Sequence, residues 1–163
     1  SSEKKVSIEN IRKLEDSPTN NFSGTIITLV SDEATGIAAG QAVAISRVTA
    51  GRVVLARSIN SSTKVPCIGI AVTTANKVND PIDILLMGVA EYSFTPGFTS
   101  SDIGKQVFLN TTLGQFSVTA PSVTGQQIQV VPEKLFVGES SNFLIFSMLT
   151  FFSELADESH IAT

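Results

Sequence analysis

Short β-forming runs, each closed by glycine, proline or asparagine, follow one another from Phe22 to about Phe152. "TIITLV" places Ile26, Thr28 and Val30 on one side and Ile27 and Leu29 on the other. "AVAISRV" and "RVVLARSI" flank Thr49-Ala50-Gly51, a hairpin loop whose glycine takes positive φ. "CIGIAV" alternates Ile68, Ile70 and Val72 with Gly69 and Ala71, a small face that lets another backbone come close. "PIDILLMGVAEYSF" follows an Asn79-Asp80-Pro81 turn. In "IGKQVFLNTTLGQFSVTAP" two short strands surround a glycine-ended turn, with Phe116, Val118 and Ala120 alternating with Gln115, Ser117 and Thr119. "QQIQVV" and "KLFVG" come last. No helical pattern lies between these runs, so a parallel βαβ sheet is not expected. The spacing of strands and turns predicts an all-β chain: a compact antiparallel sandwich or barrel, jelly-roll-like, with a short N-terminal arm.

Three segments follow. Residues 1–21 form the arm, 22–152 the β domain and 153–163 a polar C-terminal tail. The arm holds much of the charge, and Ile8, Ile11 and Leu14 recur at a spacing that suits one side of a short helix capped by Ser7 and stopped before Pro18. So short a helix is marginal alone and needs a surface to dock on. The opening "SSEKKVS" lacks the apolar core of a signal peptide. "FLIFSMLTFF", Phe143–Phe152, is ten residues long, about half of a membrane span, and its branched and aromatic content favours a buried or interface strand. The expectation is synthesis in a cytoplasm and folding without a membrane.

Reactive groups are few. A net charge of −4 offers no basic face for nucleic acid. The single cysteine, Cys67, sits among apolar residues and reads as a small buried hydrophobe; alone it makes no disulfide and no thiolate zinc site. The single histidine, His160, belongs to the tail. The carboxylates of the β domain include Asp80, Asp83, Glu91, Asp102, Glu133 and Glu139. Asp80 and Asp102 occupy turn-like contexts, where aspartate bonds nearby backbone. Asp83 and Glu91 alternate with apolar neighbours and read as solvent-facing. "VSDEATG", with Asp32 and Glu33, is the nearest approach to a calcium loop and reads as a polar loop. "GIAAGQAV" has two glycines and no basic residue for a phosphate. Asn21, Asn60 and Asn110 match the glycosylation triplet by chance. Ten phenylalanines, one tyrosine and no tryptophan is a core composition rather than a sugar-binding one, so Phe94 and Phe98 are expected in a core or a subunit interface. No catalytic residue, cofactor or metal is expected.

The order of the motifs resembles small β-rich structural modules of tailed bacteriophages, found in head decoration (cement) proteins, head fibres and some tail-fibre parts. The resemblance rests on Gly40, Ala42 and Val43; on Ile68 to Ala71; on Gly88; on Gly104, Lys105 and Val107 to Leu109; on Gly114; on Ala120 and Pro121; and on Gly125, Ile128 and Val131. It spans roughly residues 36–131. Two positions depart from it: Asn79-Asp80 replaces a turn that usually offers glycine, and Val131-Pro132 stands where the last strand often ends in glycine. The resemblance implies a virion protein on the capsid exterior, homotrimeric, bound to the major capsid protein and stabilising the head, with neither nucleic acid nor membrane as partner. Its alternative is a tail-fibre or receptor-binding module for a host glycan or protein. An arm carrying Ile8, Ile11 and Leu14 would then contact the capsid, and Phe143, Ile145, Phe151 and Phe152 would form the trimer interface, because so apolar a run needs a partner surface.

Overall fold

The computed structural model describes residues 22–59, 64–122, 127–137, 142–147 and 152–154. The arm residues Ile8, Ile11 and Leu14, together with Phe151, Glu139 and His160, lie outside them. Ten strands run in chain order: β1 (Phe22–Ser31), β2 (Ala42–Ile45), β3 (Arg52–Leu55), β4 (Cys67–Ala71), β5 (Pro81–Tyr92), β6 (Gln106–Leu109), β7 (Phe116–Ser117), β8 (Gln127–Val137), β9 (Asn142–Ser147) and β10 (Phe152–Glu154). The one helical element among the described residues is a 3-10 turn, Ser100–Asp102.

Strands β1-β3-β2-β4-β5 close into a five-stranded barrel through a long antiparallel ladder between β1 and β5, from Phe22↔Ala90 to Val30↔Pro81. The expected all-β barrel is therefore present. One pair departs from pure antiparallel order: β1 meets β3 in parallel at Val30↔Arg52 and Ser31↔Val53. The C-terminal half of β5 leaves the barrel and pairs with β9, from Met87↔Ser147 to Tyr92↔Asn142. Beyond β9 come β8, β6 and β7, and β10 pairs with β8. Thus "FLIFSMLTFF" contributes strand β9 and the start of β10.

The β2–β3 hairpin forms as its loop chemistry predicts, with Gly51 at φ +76° and Ser46 N–H donating to the Arg52 carbonyl at 2.8 Å. Asn79 takes φ +78° in the turn before β5. Asparagine tolerates that conformation better than most side chains, so it does there what a glycine would do. Pro132 does not end a strand. It lies inside β8 where the β6 register shifts, Phe108 facing Val130 and Gln106 facing Glu133. A bulge is where a strand accepts a residue with no N–H to donate. Strand β7 is only two residues long, shorter than the alternation from Gln115 to Ala120 predicts. The Ser117 hydroxyl accepts the Thr119 N–H at 3.0 Å, a local turn that ends the ladder.

The strands alternate between two cores. Ile37, Val43, Val53, Leu55, Ala71, Ala75, Ile82 and Ile84 fill the barrel. Ala42, Ala44, Cys67, Ile70, Leu85 and Ala90 face outward from it, against Phe94, Val107, Leu109 and Phe116 of the second layer. Strands β2 and β4 are covered on both faces, which is why they read as nearly unbroken apolar runs. Gly69 and Ala71 are buried. A Cβ on Gly69 would collide with the Leu85 carbonyl of β5. The close approach predicted for this small face is made within the chain, so it is not a surface for a second subunit.

Candidate functional site

Asp83 and Glu91 do not converge. Asp83 accepts the Thr28 hydroxyl across the β1–β5 ladder, and its N–H donates to Thr73 Oγ1 at 2.9 Å. Glu91, expected to face solvent, is only 3% exposed. Alternation separates two strand faces without saying which is covered, and at Glu91 β5 has already entered the second layer. Eight residues of strand separate Asp83 from Glu91, about 25 Å at the usual rise. That is well beyond the spacing of a glycosidase pair. Asp80 accepts the Asn76 N–H at 3.0 Å, the turn role predicted for it. Glu133 lies in β8 opposite Gln106 and Ile145.

Asp102 also serves a turn. Its Oδ2 accepts the Thr99 N–H at 2.9 Å, and its Oδ1 accepts from Lys105 Nζ at 3.3 Å. The Thr99 amide, followed by Lys105, holds its carboxyl below the usual carboxylate range. A lowered pKa means that the contribution to stability is complete above the unfolded value of about 3.9 and is lost as the pH falls through the folded value. Asp102→Asn removes the charge that these two bonds favour and should therefore cost on the order of 0.5–1 kcal/mol near neutrality. The difference from the parent chain should shrink as the pH falls through that lowered value, read from urea unfolding at neutral and at acid pH.

The Asp32-Glu33 loop is occupied by its own protein. Asp32 Oδ2 accepts the Ser46 hydroxyl at 2.8 Å, and Asp32 Oδ1 lies 4.0 Å from Arg52. Glu33 Oε2 accepts the Leu55 N–H at 2.7 Å and lies 3.6 Å from Lys64. The Glu33 carboxylate thus caps an edge amide of β3 just past the point where β1 stops pairing with it. Among the described residues no three His, Cys, Asp or Glu side chains gather as a metal site.

Cys67 is buried, as predicted. Desolvation pushes its thiol up to about 12, and its S–H donates to the Gly69 carbonyl at 3.4 Å. A thiol so far from ionisation is a poor nucleophile. Ellman's reagent should leave the native protein unlabelled at pH 8 and titrate one thiol after unfolding in denaturant.

Asn110 donates through Nδ2 to the Phe116 carbonyl at 3.3 Å, and its Oδ1 accepts the Thr112 N–H at 3.1 Å. Phe94 is buried in the second layer, with Phe98 partly buried against it. Phe94 meets Tyr92, Phe98 and Phe116 edge-on, with ring centroids 6.1, 5.9 and 5.9 Å apart. Two clefts open nearby. One, of about 330 Å³, is lined by Asn110, Thr111, Ser117, Thr119 and Ser122 among others. The other, of about 200 Å³, lies between Gly40-Gln41 and Gly114-Gln115. Neither lining contains an ionisable side chain.

The feature that departs most from an ordinary protein surface is β1. Ser23 to Thr28 are all exposed, and Ile26 and Ile27, adjacent and so on opposite faces, are 42% and 39% exposed. Met87, paired with Thr25 on β5, is 44% exposed. On its other edge β1 meets β3 only at Val30 and Ser31. From Phe22 to Leu29 that edge has no strand beside it among the described residues. The sequence offered no sign of this, because an apolar alternating strand reads as buried on at least one face. Of the residues expected at a subunit interface, Phe143 and Ile145 lie in β9, opposite Glu91 and Val89 of β5, and Phe152 opens β10 opposite Gln129.

No protein-family model matches this chain, and no curated protein matches it either.

Proposed function

We propose that this chain is a structural virion protein: a homotrimeric capsid decoration (cement) protein that sits on the outer head surface, binds the major capsid protein and stabilises the shell by bridging capsid subunits. The observation that carries this reading is β1. A strand with Ile26 and Ile27 exposed and an edge that no other described strand covers from Phe22 to Leu29 suits assembly, and it begins where the arm ends. The motif resemblance between residues 36 and 131 supports the same reading. In it, Phe143, Ile145, Phe151 and Phe152 serve the trimer, and Ile8, Ile11 and Leu14 tether it to neighbouring capsid subunits. A ligand that binds the assembled shell and not its parts stabilises the shell by mass action.

Antibody labelling of intact virions in the electron microscope tests the location, with label expected over the head. Label confined to the tail tip overturns the proposal. Native mass spectrometry should give three times the chain mass of 17.2 kDa. Deleting residues 1–16 should leave that trimer intact and weaken head binding about 100-fold or more, because three tethers act together. Normal binding by the truncated trimer removes the arm from the scheme. A second reading, a tail-fibre or receptor-binding module, is favoured by the neutral cleft lined by Asn110, Thr111, Ser117, Thr119 and Ser122, whose amide and hydroxyl groups suit a glycan.

A further inference from the structure

We infer that the open edge of β1 pairs with β1 of a second copy, antiparallel about a two-fold axis, which extends the β1–β5 ladder from one molecule into the next. The backbone directions define the edge. Ser31 N–H donates to the Asp80 carbonyl on the β5 side, whereas Asp32 N–H donates to Val53 on the β3 side. Alternation then directs the N–H and C=O groups of Thr28 and Ile26 away from β5, toward the open edge.

Exposure on both faces tells what kind of partner fits. A helix or a flat surface laid on β1 would cover Ile26 or Ile27, not both. A strand added in the plane of the sheet brings side chains beside each of them and satisfies the edge backbone as well. Charge tells which strand. Phe22–Ser31 contains no Asp, Glu, Lys, Arg or Pro, so it has none of the residues that guard a free edge, and two copies meet without like charges. The arm is a poor occupant by the same measure. Its longest stretches without charge are Val6-Ser7-Ile8 and the polar Ser17-Pro18-Thr19-Asn20-Asn21. The Phe143–Phe152 run matches β1 in length and neutrality but already supplies strands β9 and β10, which leaves β1 of a second copy as the matching segment.

Geometry restricts the register. Directly opposed residues in an antiparallel pair must both point toward each other or both point away. The two-fold therefore passes through a residue rather than between two, so Thr-Ile-Ile-Thr cannot pair symmetrically about its own centre. One position among Thr25, Ile26 and Ile27 faces its own copy. Beyond Leu29 the edge is taken by β3, which keeps the paired segment short. Two strands alone are marginal, so Ile26, Ile27 and Met87 must supply apolar burial. The contact does not rest on the proposed trimer: it joins one copy to one other, and in a decorated head it would link neighbouring trimers.

The test is disulfide scanning of the full-length protein with single substitutions Thr25→Cys, Ile26→Cys and Ile27→Cys, and Ile103→Cys as an exposed control on another loop. Native Cys67, buried and protonated, stays out of the reaction. Opposed positions bring Cα atoms about 4.5–5.5 Å apart, within the range a disulfide spans. After mild oxidation, one of the three positions should give covalent dimer on a non-reducing denaturing gel, far above its neighbours and above the control. That readout is indifferent to how trimers form, so it separates failure of this contact from failure of the trimer. Ile27→Lys, with its circular dichroism unchanged, should weaken self-association about tenfold or more in sedimentation, a loss of roughly 1.4 kcal/mol. Equal cross-linking at all positions, none above the control, or a sedimentation profile unaffected by the lysine overturns the inference. In the last two cases β1 is left to a foreign strand or to the arm.

Discussion

Alanine at Gly88 is expected to lower the unfolding free energy by about 3 kcal/mol or more, a fall in Tm of about 6–12 °C. Gly88 sits in the middle of β5, opposite Gly24 of β1 on one side and Phe146 of β9 on the other. Both glycines lie at φ values closed to other residues, +148° at Gly24 and +140° at Gly88. Space is closed as well. A Cβ on Gly88 would collide with the Ser23 carbonyl and come within 2.8 Å of the Gly24 Cα; a Cβ on Gly24 would meet Met87 and Gly88 in the same way. The contacts are backbone to backbone, so no side chain can swing aside to relieve them. At this crossing the β1–β5 ladder passes from the barrel into the second layer, and strain here would loosen both. Gly104→Ala is the matched control. Gly104 also has positive φ, +81°, but nothing lies within 4 Å of its added Cβ, so it should cost only about 1 kcal/mol. Urea unfolding of the two variants measures the difference. Similar losses in both would mean that the close approach at Gly24 and Gly88 contributes nothing beyond dihedral preference.

Phe94→Ala should cost about 3–5 kcal/mol. Phe94 is buried at the centre of the aromatic cluster and joins the end of β5, through Tyr92, to β7, through Phe116. The same hydrophobic cluster includes four alanines, Ala42, Ala44, Ala56 and Ala90, so the large rings supply much of its volume. Four alanines cannot expand to close a cavity, so the truncation leaves most of the void in place. The edge-on geometry adds a second component, about 0.5–1.5 kcal/mol for a ring pair beyond its area. A double-mutant cycle of Phe94→Leu with Phe116→Leu isolates it, with a coupling expected in that range. A coupling near zero would reduce Phe94 to a space-filler.

The elements of this fold were legible where local chemistry decides them. The β2–β3 hairpin needed only the branched residues of its strands and Gly51 in the loop. The small face of "CIGIA" was legible as a place of close approach because Gly69 and Ala71 alternate with isoleucines. Cys67 read as a core residue because every neighbour in its strand is apolar. Asp80 and Asp102 read as turn formers because aspartate reaches backbone amides a few residues away. Each of these is a short-range matter, settled by residues within one turn or one strand.

Other properties depended on partners distant in sequence. Barrel closure joins Phe22–Val30 to Pro81–Ala90, and nothing in either strand names the other. The parallel β1–β3 contact follows from that closure and not from any propensity. Glu91 is buried because β5 outruns the barrel and continues into a second layer, whereas alternation alone assigned it to solvent. Ile26 and Ile27 show the reverse: apolar alternation predicts burial, yet both are exposed because β1 continues past the end of β3. A sequence carries the period of a strand. Which face is covered, and which edge stays open, depends on where the other strands stop, and only the assembled sheet decides that.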